Sequence, residues 1–141
     1  MKKYLVIAIL ISACGGSGEK TVTTKDSTGV PSASISKNPV IGTPIKHGNL
    51  EIAEKSYPHL VVWDQAVRIS DTLGQGWRLP SLDELRDLYK NKDAIGGFTN
   101  DLYWSATETD AFNVSTINFY NGEEGKFNKV YSSQVRFVRS K

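Results

Sequence analysis

The sequence is poor in the residue types on which catalytic and metal-binding motifs depend. Among its 141 residues there is one cysteine, Cys14, so the chain cannot form an internal disulfide. His47 and His59 have no acidic or histidine partner at the spacing of metal ligands, and we expect both in loops. The phosphate-binding patterns G-x-x-x-x-G-K and G-x-G-x-x-G and the G-x-S-x-G turn of serine hydrolases do not occur. Nucleotide-binding loops and a serine-hydrolase elbow are therefore excluded.

The N-terminus lacks an apolar run as long as the roughly 20 residues that a membrane-spanning helix needs. Lys2 and Lys3 instead precede a short apolar run over residues 4–11, which ends in the small residues Ser12 and Ala13. This arrangement is typical of a secretory signal peptide. We therefore predict a signal peptide over residues 1–13.

Residues 11–14, with the sequence I-S-A-C, resemble the lipobox of bacterial lipoproteins. The resemblance implies cleavage before Cys14 and its acylation, in which each buried methylene contributes about 0.8 kcal/mol to membrane binding. A lipidated Cys14 leaves no free thiol, which excludes cysteine nucleophiles and thiolate metal sites. The alternative is a soluble secreted protein in which Cys14 is accidental.

The sequence also lacks an excess of charge of one sign. It has 17 basic and 15 acidic residues, and the loss of Lys2 and Lys3 leaves 15 of each. A neutral mature chain has no global field to attract nucleic acid, so we expect no nucleic-acid partner. The predicted location is the cell envelope. Gly15 follows Cys14 in place of an Asp that would indicate inner-membrane retention, which favours the outer membrane in a host with two membranes.

The segment after the predicted cleavage site is rich in Ser, Thr, Gly and Lys and has no aromatic residue. Such a composition buries too little surface to offset the entropy of ordering. We therefore predict that residues 14–44 form the lipidated Cys and a flexible tether. All three Trp and all five Phe lie in residues 45–141, which we predict to be one folded unit.

Two helices are predicted in this unit. Apolar residues at helical spacing indicate a first helix over residues 60–73, which Gly74 ends. Ser81 and Glu84 match the capping box S-x-x-E, in which each side chain accepts a hydrogen bond from the other residue's amide. Pro80 prevents an earlier start, so the second helix runs from Ser81 to about residue 92.

The rest of the unit has the character of β-strands. Aromatic and β-branched residues predict strands over residues 102–107, 113–120, 126–131 and 134–138, with a weaker first strand over 50–57. Alternation along 103–107 places Trp104 and Ala106 on one face and Tyr103 on the other, and one of these faces is expected in the core. Asn121-Gly122 indicates a hairpin turn. Two helices and an antiparallel sheet predict an α+β domain.

Four motifs occur in a recognisable order: GWRLPSLDEL, then YWSAT, then NFYNGE and a closing VRFVR. Together they resemble the C-terminal domain of Lcl-type bacterial adhesins over about residues 60–139. The resemblance implies a C-type-lectin-like fold, distantly related to the formylglycine-generating enzymes. The residues that carry it are structural-motif candidates: Trp77, Arg78, Pro80, Ser81, Glu84, Trp104, Arg136 and Arg139.

The resemblance also implies glycan or surface binding, including sulfated polysaccharides in the adhesin itself. The active-site cysteines of the formylglycine-generating enzymes are missing, which excludes their oxidation chemistry. The triplets E-P-N, Q-P-D and W-N-D of calcium-dependent lectins are missing too, and so is the collagen-like stalk of the adhesin. We therefore expect no required cofactor, with calcium as the open alternative.

Oxygen-bearing side chains near two turns are the candidate ligand-binding residues: Glu108, Asp110, Asn113, Asn121 and Glu123. Such loops can bind calcium or the hydroxyls of a sugar, whereas the commoner structural interpretation is a solvated turn. A functional interpretation makes Trp77 a stacking surface and Arg78 an anion clamp. The adjacent capping box instead favours a structural role for both residues.

The C-terminal strand region is mildly basic. Arg136 and Arg139, together with three lysines at 126, 129 and 141, could bind a polyanion. Scattered surface charges and one buried ion pair are the favoured interpretation.

The sequence as a whole predicts a lipid-anchored envelope protein that displays a non-catalytic domain binding a glycan or a protein. The first alternative is a hydrolase, which would require Glu108, Asp110 and a histidine in one cleft. The second is a purely structural envelope lipoprotein without a small ligand. The oligomeric state and the face of the membrane stay open.

Overall fold

Residues 39–141 are those that the computed structural model describes, and within them the chain is a mixture of helices and antiparallel strands. The α+β class predicted from the sequence is confirmed. The predicted signal peptide, Cys14 and most of the predicted tether lie outside the described residues.

Three short helices and eight strands occur in this part of the chain. The helices are α1 (Trp63–Leu73), α2 (Leu82–Lys90) and α3 (Lys92–Ile95). The strands are β1 (Ile45–His47), β2 (Leu50–Ile52), β3 (Val61–Val62), β4 (Leu102–Glu108), β5 (Asn113–Asn118), β6 (Glu124–Asn128), β7 (Ser132–Ser133) and β8 (Val138–Ser140). They form three antiparallel sheets, in the orders β1-β2-β8, β3-β7 and β4-β5-β6.

Helix α2 begins where the sequence predicts. Ser81 Oγ accepts from the Glu84 amide at 3.2 Å, and Glu84 Oε2 accepts from the Ser81 amide at 2.8 Å, which confirms the capping box. The same carboxylate receives two hydrogen bonds from Arg78, with Nη1–Oε2 2.7 Å and Nη2–Oε1 2.8 Å. Arg78 thus fixes the cap, as the structural interpretation of WRLP expects. The helix ends at Lys90, and α3 follows after Asn91.

The first helix starts three residues later than predicted. Val61 and Val62 pair with Ser133 and Ser132 as strand β3, because β-branched residues favour an extended backbone when a partner strand is available. Leu60 precedes this strand and is 56% exposed. The predicted apolar stripe therefore belongs to α1 only from residue 63 onwards.

The β4-β5-β6 sheet contains the hairpin predicted at Asn121-Gly122. Strand β4 contributes to the core from both faces, which is more than the one core face that the sequence predicts, since Tyr103 and its neighbour Trp104 are both fully buried. Tyr103 joins a core cluster with Leu85 and Leu88 of α2, and Trp104 joins a second cluster with Ala66 of α1. Both faces of the sheet are covered at Tyr103 and Trp104, so alternation does not separate core from solvent in this part of β4.

Two of the predicted strands are much shorter than expected. Strand 50–57 ends as β2 at Ile52, and of 134–138 only Val138 is in a strand, while all five of these residues are buried. The two segments still run side by side, with the Ala53 amide donating to Phe137 O and the Tyr57 amide to Val135 O. Their regular pairing stops at Arg136, because the Arg136 side chain donates to the backbone carbonyls of Ala53 and Glu54. Strand β1 is not among the sequence predictions.

The folded unit also begins before residue 45. Ile41 is 5% exposed and lies in the same core cluster as Trp104, and its carbonyl accepts from the Glu54 amide at 2.8 Å. Ile41 is surrounded by Ser, Thr and Pro in the sequence, so the composition of this segment places it in the predicted tether.

Replacing Glu84 by Gln should lower the free energy of unfolding by about 1–2 kcal/mol at pH 7, because a charged partner of Arg78 is lost. The Arg78 hydrogen bond lowers the pKa of Glu84 below its ordinary value. A lowered folded pKa stabilises the protein above the unfolded pKa, and this stability is lost as the pH falls through the folded value. The difference between the two proteins should therefore shrink below about pH 4.

Denaturant titrations from pH 7 to pH 3 measure this difference. Glu123→Gln is the control, because Glu123 is exposed and contacts only its own turn. A Glu84→Gln deficit that stays constant with pH would contradict the ion-pair explanation.

Candidate functional site

The three ligand candidates around the loop between β4 and β5 already have partners within the protein. Asp110 Oδ1 accepts from the amides of Phe112 and Asn113 at 2.9 Å each, and from Asn113 Nδ2 at 3.0 Å. These bonds lower the pKa of Asp110 below its ordinary value. Glu108 Oε2 pairs with Lys129 Nζ at 2.5 Å. The described geometry thus corresponds to an Asx turn beside an ion pair.

The other two candidates form a second turn. Asn121 Oδ1 accepts from the Glu123 amide at 3.0 Å, and Asn121 Nδ2 donates to Glu123 Oε2 at 3.2 Å. Strand β5 separates this turn from Asn113, and its five residue steps span about 17 Å. The structure therefore does not bring the five predicted ligand-binding residues together.

The histidines lie apart from these carboxylates. His47 Nε2 is 2.7 Å from Asp87 Oδ2, and the His59 ring stands edge-on to Tyr57 with ring centroids 6.1 Å apart. Glu108, Asp110 and a histidine do not meet anywhere in residues 39–141. Across the same residues no group of three or more His, Cys, Asp or Glu side chains has an arrangement that could hold a metal ion.

The most unusual side chain of the described fold is Arg136, which is fully buried. Its Nε donates to Ala53 O at 2.8 Å, Nη1 to Gly96 O at 2.6 Å and Nη2 to Glu54 O at 2.8 Å. The Phe98 ring covers the guanidinium, with its centroid 4.1 Å from Cζ. Burial lowers the pKa of Arg136 to about 10, so it remains a cation at neutral pH.

The ion pair expected in the C-terminal strand region does not involve Arg136. No carboxylate of the described residues pairs with it, because backbone carbonyls occupy its donors. Of the two arginines in the closing motif, Arg139 has an acidic partner: its Nη2 is 2.6 Å from Glu51 Oε2 and its guanidinium lies over the Trp77 ring.

A cleft of about 410 Å³ opens beside this buried cation. The segments 55–58 and 97–99 form its walls. It is lined by Lys55, Ser56, Tyr57, Pro58, Gly97, Phe98, Thr99 and Gln134. A second cleft of about 300 Å³ shares Gly97 and Phe98 with the first and extends past Lys92, Asp93, Gly96 and Asn100. We name the first of these the Tyr57–Phe98 cleft.

A single buried hydroxyl ties the two walls together. Tyr103 Oη lies 2.5 Å from Ser56 Oγ on one wall. On the other wall it lies 2.9 Å from both the Thr99 amide and Thr99 Oγ1. Because Tyr103 is held in β4 with its ring packed on Phe119 and Phe98, the cleft is anchored to the core sheet. Its shape is therefore preorganised.

The Tyr57–Phe98 cleft combines aromatic and polar surface. Tyr57 and Phe98 supply aromatic surface, while Ser56 and Thr99 supply hydroxyls. Gln134 is 7% exposed and uses its Oε1 on the Val135 amide, and no residue in 39–141 accepts from its Nε2. The Lys55 ammonium likewise has no ion-pair partner in that range. None of the lining side chains is an acid, a histidine or a cysteine.

The sequence does not predict this cleft. Residues 55–57 belong to the predicted strand 50–57, and residues 97–99 precede the predicted strand 102–107 without belonging to a predicted element. Two signals were present: the Gly96-Gly97 pair before Phe98, and Arg136 in the closing motif. Neither indicates a cleft until the fold brings residues 54, 97 and 136 together.

Comparison of the sequence with protein-family models and with curated proteins finds no match. In the part of the chain that the structure describes, no helix combines the length and the apolar character needed to cross a membrane.

Gly97→Ala should destabilise the protein by about 1–3 kcal/mol more than Gly96→Ala, as expected of overpacking. Both glycines have φ +72°, so both substitutions carry similar backbone strain. A Cβ at position 97 would lie 2.7 Å from Glu54 O and 3.1 Å from Arg136 Nη1, whereas one at position 96 meets nothing within 4 Å.

Chemical denaturation of the two variants checks this difference. Equal losses of stability would mean that the close approach of Gly97 to Arg136 does not constrain the fold.

Proposed function

We propose that this chain is a lipid-anchored cell-envelope protein whose non-catalytic, C-type-lectin-like domain binds a glycan in the Tyr57–Phe98 cleft. The lipobox at residues 11–14 supports the anchor, and the sequence motifs shared with Lcl-type adhesins support the fold. The composition of the cleft, with aromatic faces, hydroxyls and an amide but no acid, carries the choice of ligand.

The contacts between the motifs support the proposed family. The WRLP segment and the closing VRFVR segment exchange two backbone hydrogen bonds, from Arg78 N to Val138 O at 2.8 Å and from Val138 N to Arg78 O at 2.9 Å. The YWSAT segment joins them, since the Ala106 amide donates to Pro80 O and the Trp104 amide to Gln134 O.

A sugar fits the cleft better than a charged or purely apolar ligand does. Pyranose rings present C–H groups to aromatic faces and hydroxyls to polar groups, and both kinds of partner line this cleft. The Gln134 amide and the Lys55 ammonium are donors of the cleft that have no acceptor within residues 39–141. A hydrolase would need a carboxylate near the ligand, and the two carboxylates that the sequence suggests for this role, Glu108 and Asp110, hold Lys129 and their own loop instead.

A glycan array that includes sulfated and neutral glycans, probed with the full chain in detergent, tests the proposal. We expect binding that persists without calcium, since no carboxylate lines the cleft. Tyr57→Ala should weaken the binding at least about tenfold, which corresponds to about 1.4 kcal/mol.

Tyr120→Ala is the matched control, because Tyr120 is 73% exposed on the turn after β5 and does not line the cleft. Absence of binding to every glycan, or equal losses in the two tyrosine variants, would refute the proposed site.

The anchor has its own test, labelling of growing cells with radioactive palmitate. The wild-type chain should incorporate the label and Cys14→Ser should not, since Cys14 is the only cysteine of the sequence. Label in Cys14→Ser would show that the lipoprotein interpretation is wrong.

A further inference from the structure

Two neighbouring turns expose apolar side chains where turns usually present polar ones. Phe112 is 72% exposed, Val130 73% and Tyr131 60%. The turns are adjacent, because the Lys129 amide donates to Phe112 O at 2.9 Å. We name these three side chains the apolar tip. None of them lines the clefts described above.

Hydrogen bonds hold both turns of the apolar tip in place. Asp110 Oδ1 accepts from the Phe112 and Asn113 amides in one turn. In the other, Asn128 Oδ1 accepts from the Val130 amide and the Asn128 carbonyl accepts from the Tyr131 amide. The apolar side chains are thus presented by rigid turns.

The charges around the tip compensate each other. Lys129 Nζ pairs with Glu108 at 2.5 Å and lies 4.5 Å from the Trp63 ring centroid. The positive charge of Lys126 acts on Asp110 from the neighbouring strand. A surface of this kind, apolar at its apex and neutral at its base, suits the boundary between lipid headgroups and acyl chains.

We propose that the apolar tip inserts into the surface of the membrane that carries the lipid anchor. The inference rests on the proposed lipidation of Cys14. Residues 14–38 are 25 residues, which limits the distance between the lipid and Pro39 to at most about 85 Å of extended chain. A tether of this length holds the tip at a high effective concentration at the bilayer, so weak insertion is sufficient.

The turn of the apolar tip that carries Phe112 lies well away from the site proposed for the glycan. The turn that carries Phe112 follows the C-terminal end of β4, while the Tyr57–Phe98 cleft lies beside Leu102 and Tyr103 at its N-terminal end. The seven residues of β4 separate the two ends by about 20 Å. Insertion of the tip would therefore fix the orientation of the cleft relative to the bilayer.

The test uses the full lipidated chain in vesicles of phosphatidylethanolamine and phosphatidylglycerol. In Val130→Cys the new thiol is the only free one, because Cys14 is acylated, and it is labelled with an environment-sensitive fluorophore. We expect blue-shifted emission and at least about twofold quenching by nitroxide-bearing lipids, as for a side chain at the acyl boundary. Because insertion is apolar, high salt should not reverse it.

Tyr120→Cys is the matched control, since Tyr120 lies on another turn and has the same 73% exposure as Val130. Its label should keep the emission of an aqueous site. Adding Phe112→Ser and Tyr131→Ser should bring the label at position 130 to this control value, while circular dichroism confirms that the exposed substitutions leave the fold intact.

The outcomes distinguish a failure of tip insertion from a failure of lipidation. If lipidation fails, the protein does not float with the vesicles and Cys14 takes up the fluorophore. If the protein floats but positions 130 and 120 report the same environment, tip insertion is refuted. A shift at position 130 that requires an added protein or glycan would also refute it, since the tip would then bind that partner.

Discussion

The fold depends on one buried cation. Arg136 lies fully inside the described domain, and its guanidinium donates to the carbonyls of Ala53, Glu54 and Gly96. Burying a charge costs a great deal unless its hydrogen bonds are satisfied, and here three charge-assisted bonds and the face of Phe98 offset that cost. The interaction is strong because all three acceptors are main-chain carbonyls, whose positions are set by the path of the chain. It joins three segments that are far apart in the sequence.

The Tyr57–Phe98 cleft is a consequence of this junction. Arg136 draws the chain after β2 and the loop after α3 toward the same point, and Gly97 is needed there because a side chain would collide with Glu54 O. Tyr103 then joins the two walls through Ser56 and Thr99. The cleft thus combines irregular backbone, which offers varied donors and acceptors, with a rigid foundation in β4. Preorganisation of this kind reduces the entropic cost of holding a ligand.

The elements that the sequence predicts well are those with local causes. The start of α2 follows from Ser81 and Glu84, which are three residues apart, and the hairpin follows from Asn121-Gly122. The predictions that are wrong depend on distant partners: β3 forms because Ser132 and Ser133 lie beside Val61 and Val62. Likewise, the burial of Tyr103 as well as Trp104 in β4 depends on distant partners, because two separate core clusters pack against this strand.

The sequence by itself determined the α+β class, the helix cap held by Arg78 and the turns in which Asp110 and Asn121 lie. The class follows from the periodicity and composition of successive segments, while the cap and the turns are short-range hydrogen-bonding preferences of a few neighbouring residues. Only the tertiary structure decided that Arg136 has carbonyl rather than carboxylate partners, that Glu108 and Asn121 lie apart, and that residues 55–58 face 97–99. These contacts join residues that are far apart in the sequence. A guanidinium binds the acceptors that the fold places within its reach, and residue types and their spacing do not predict those positions.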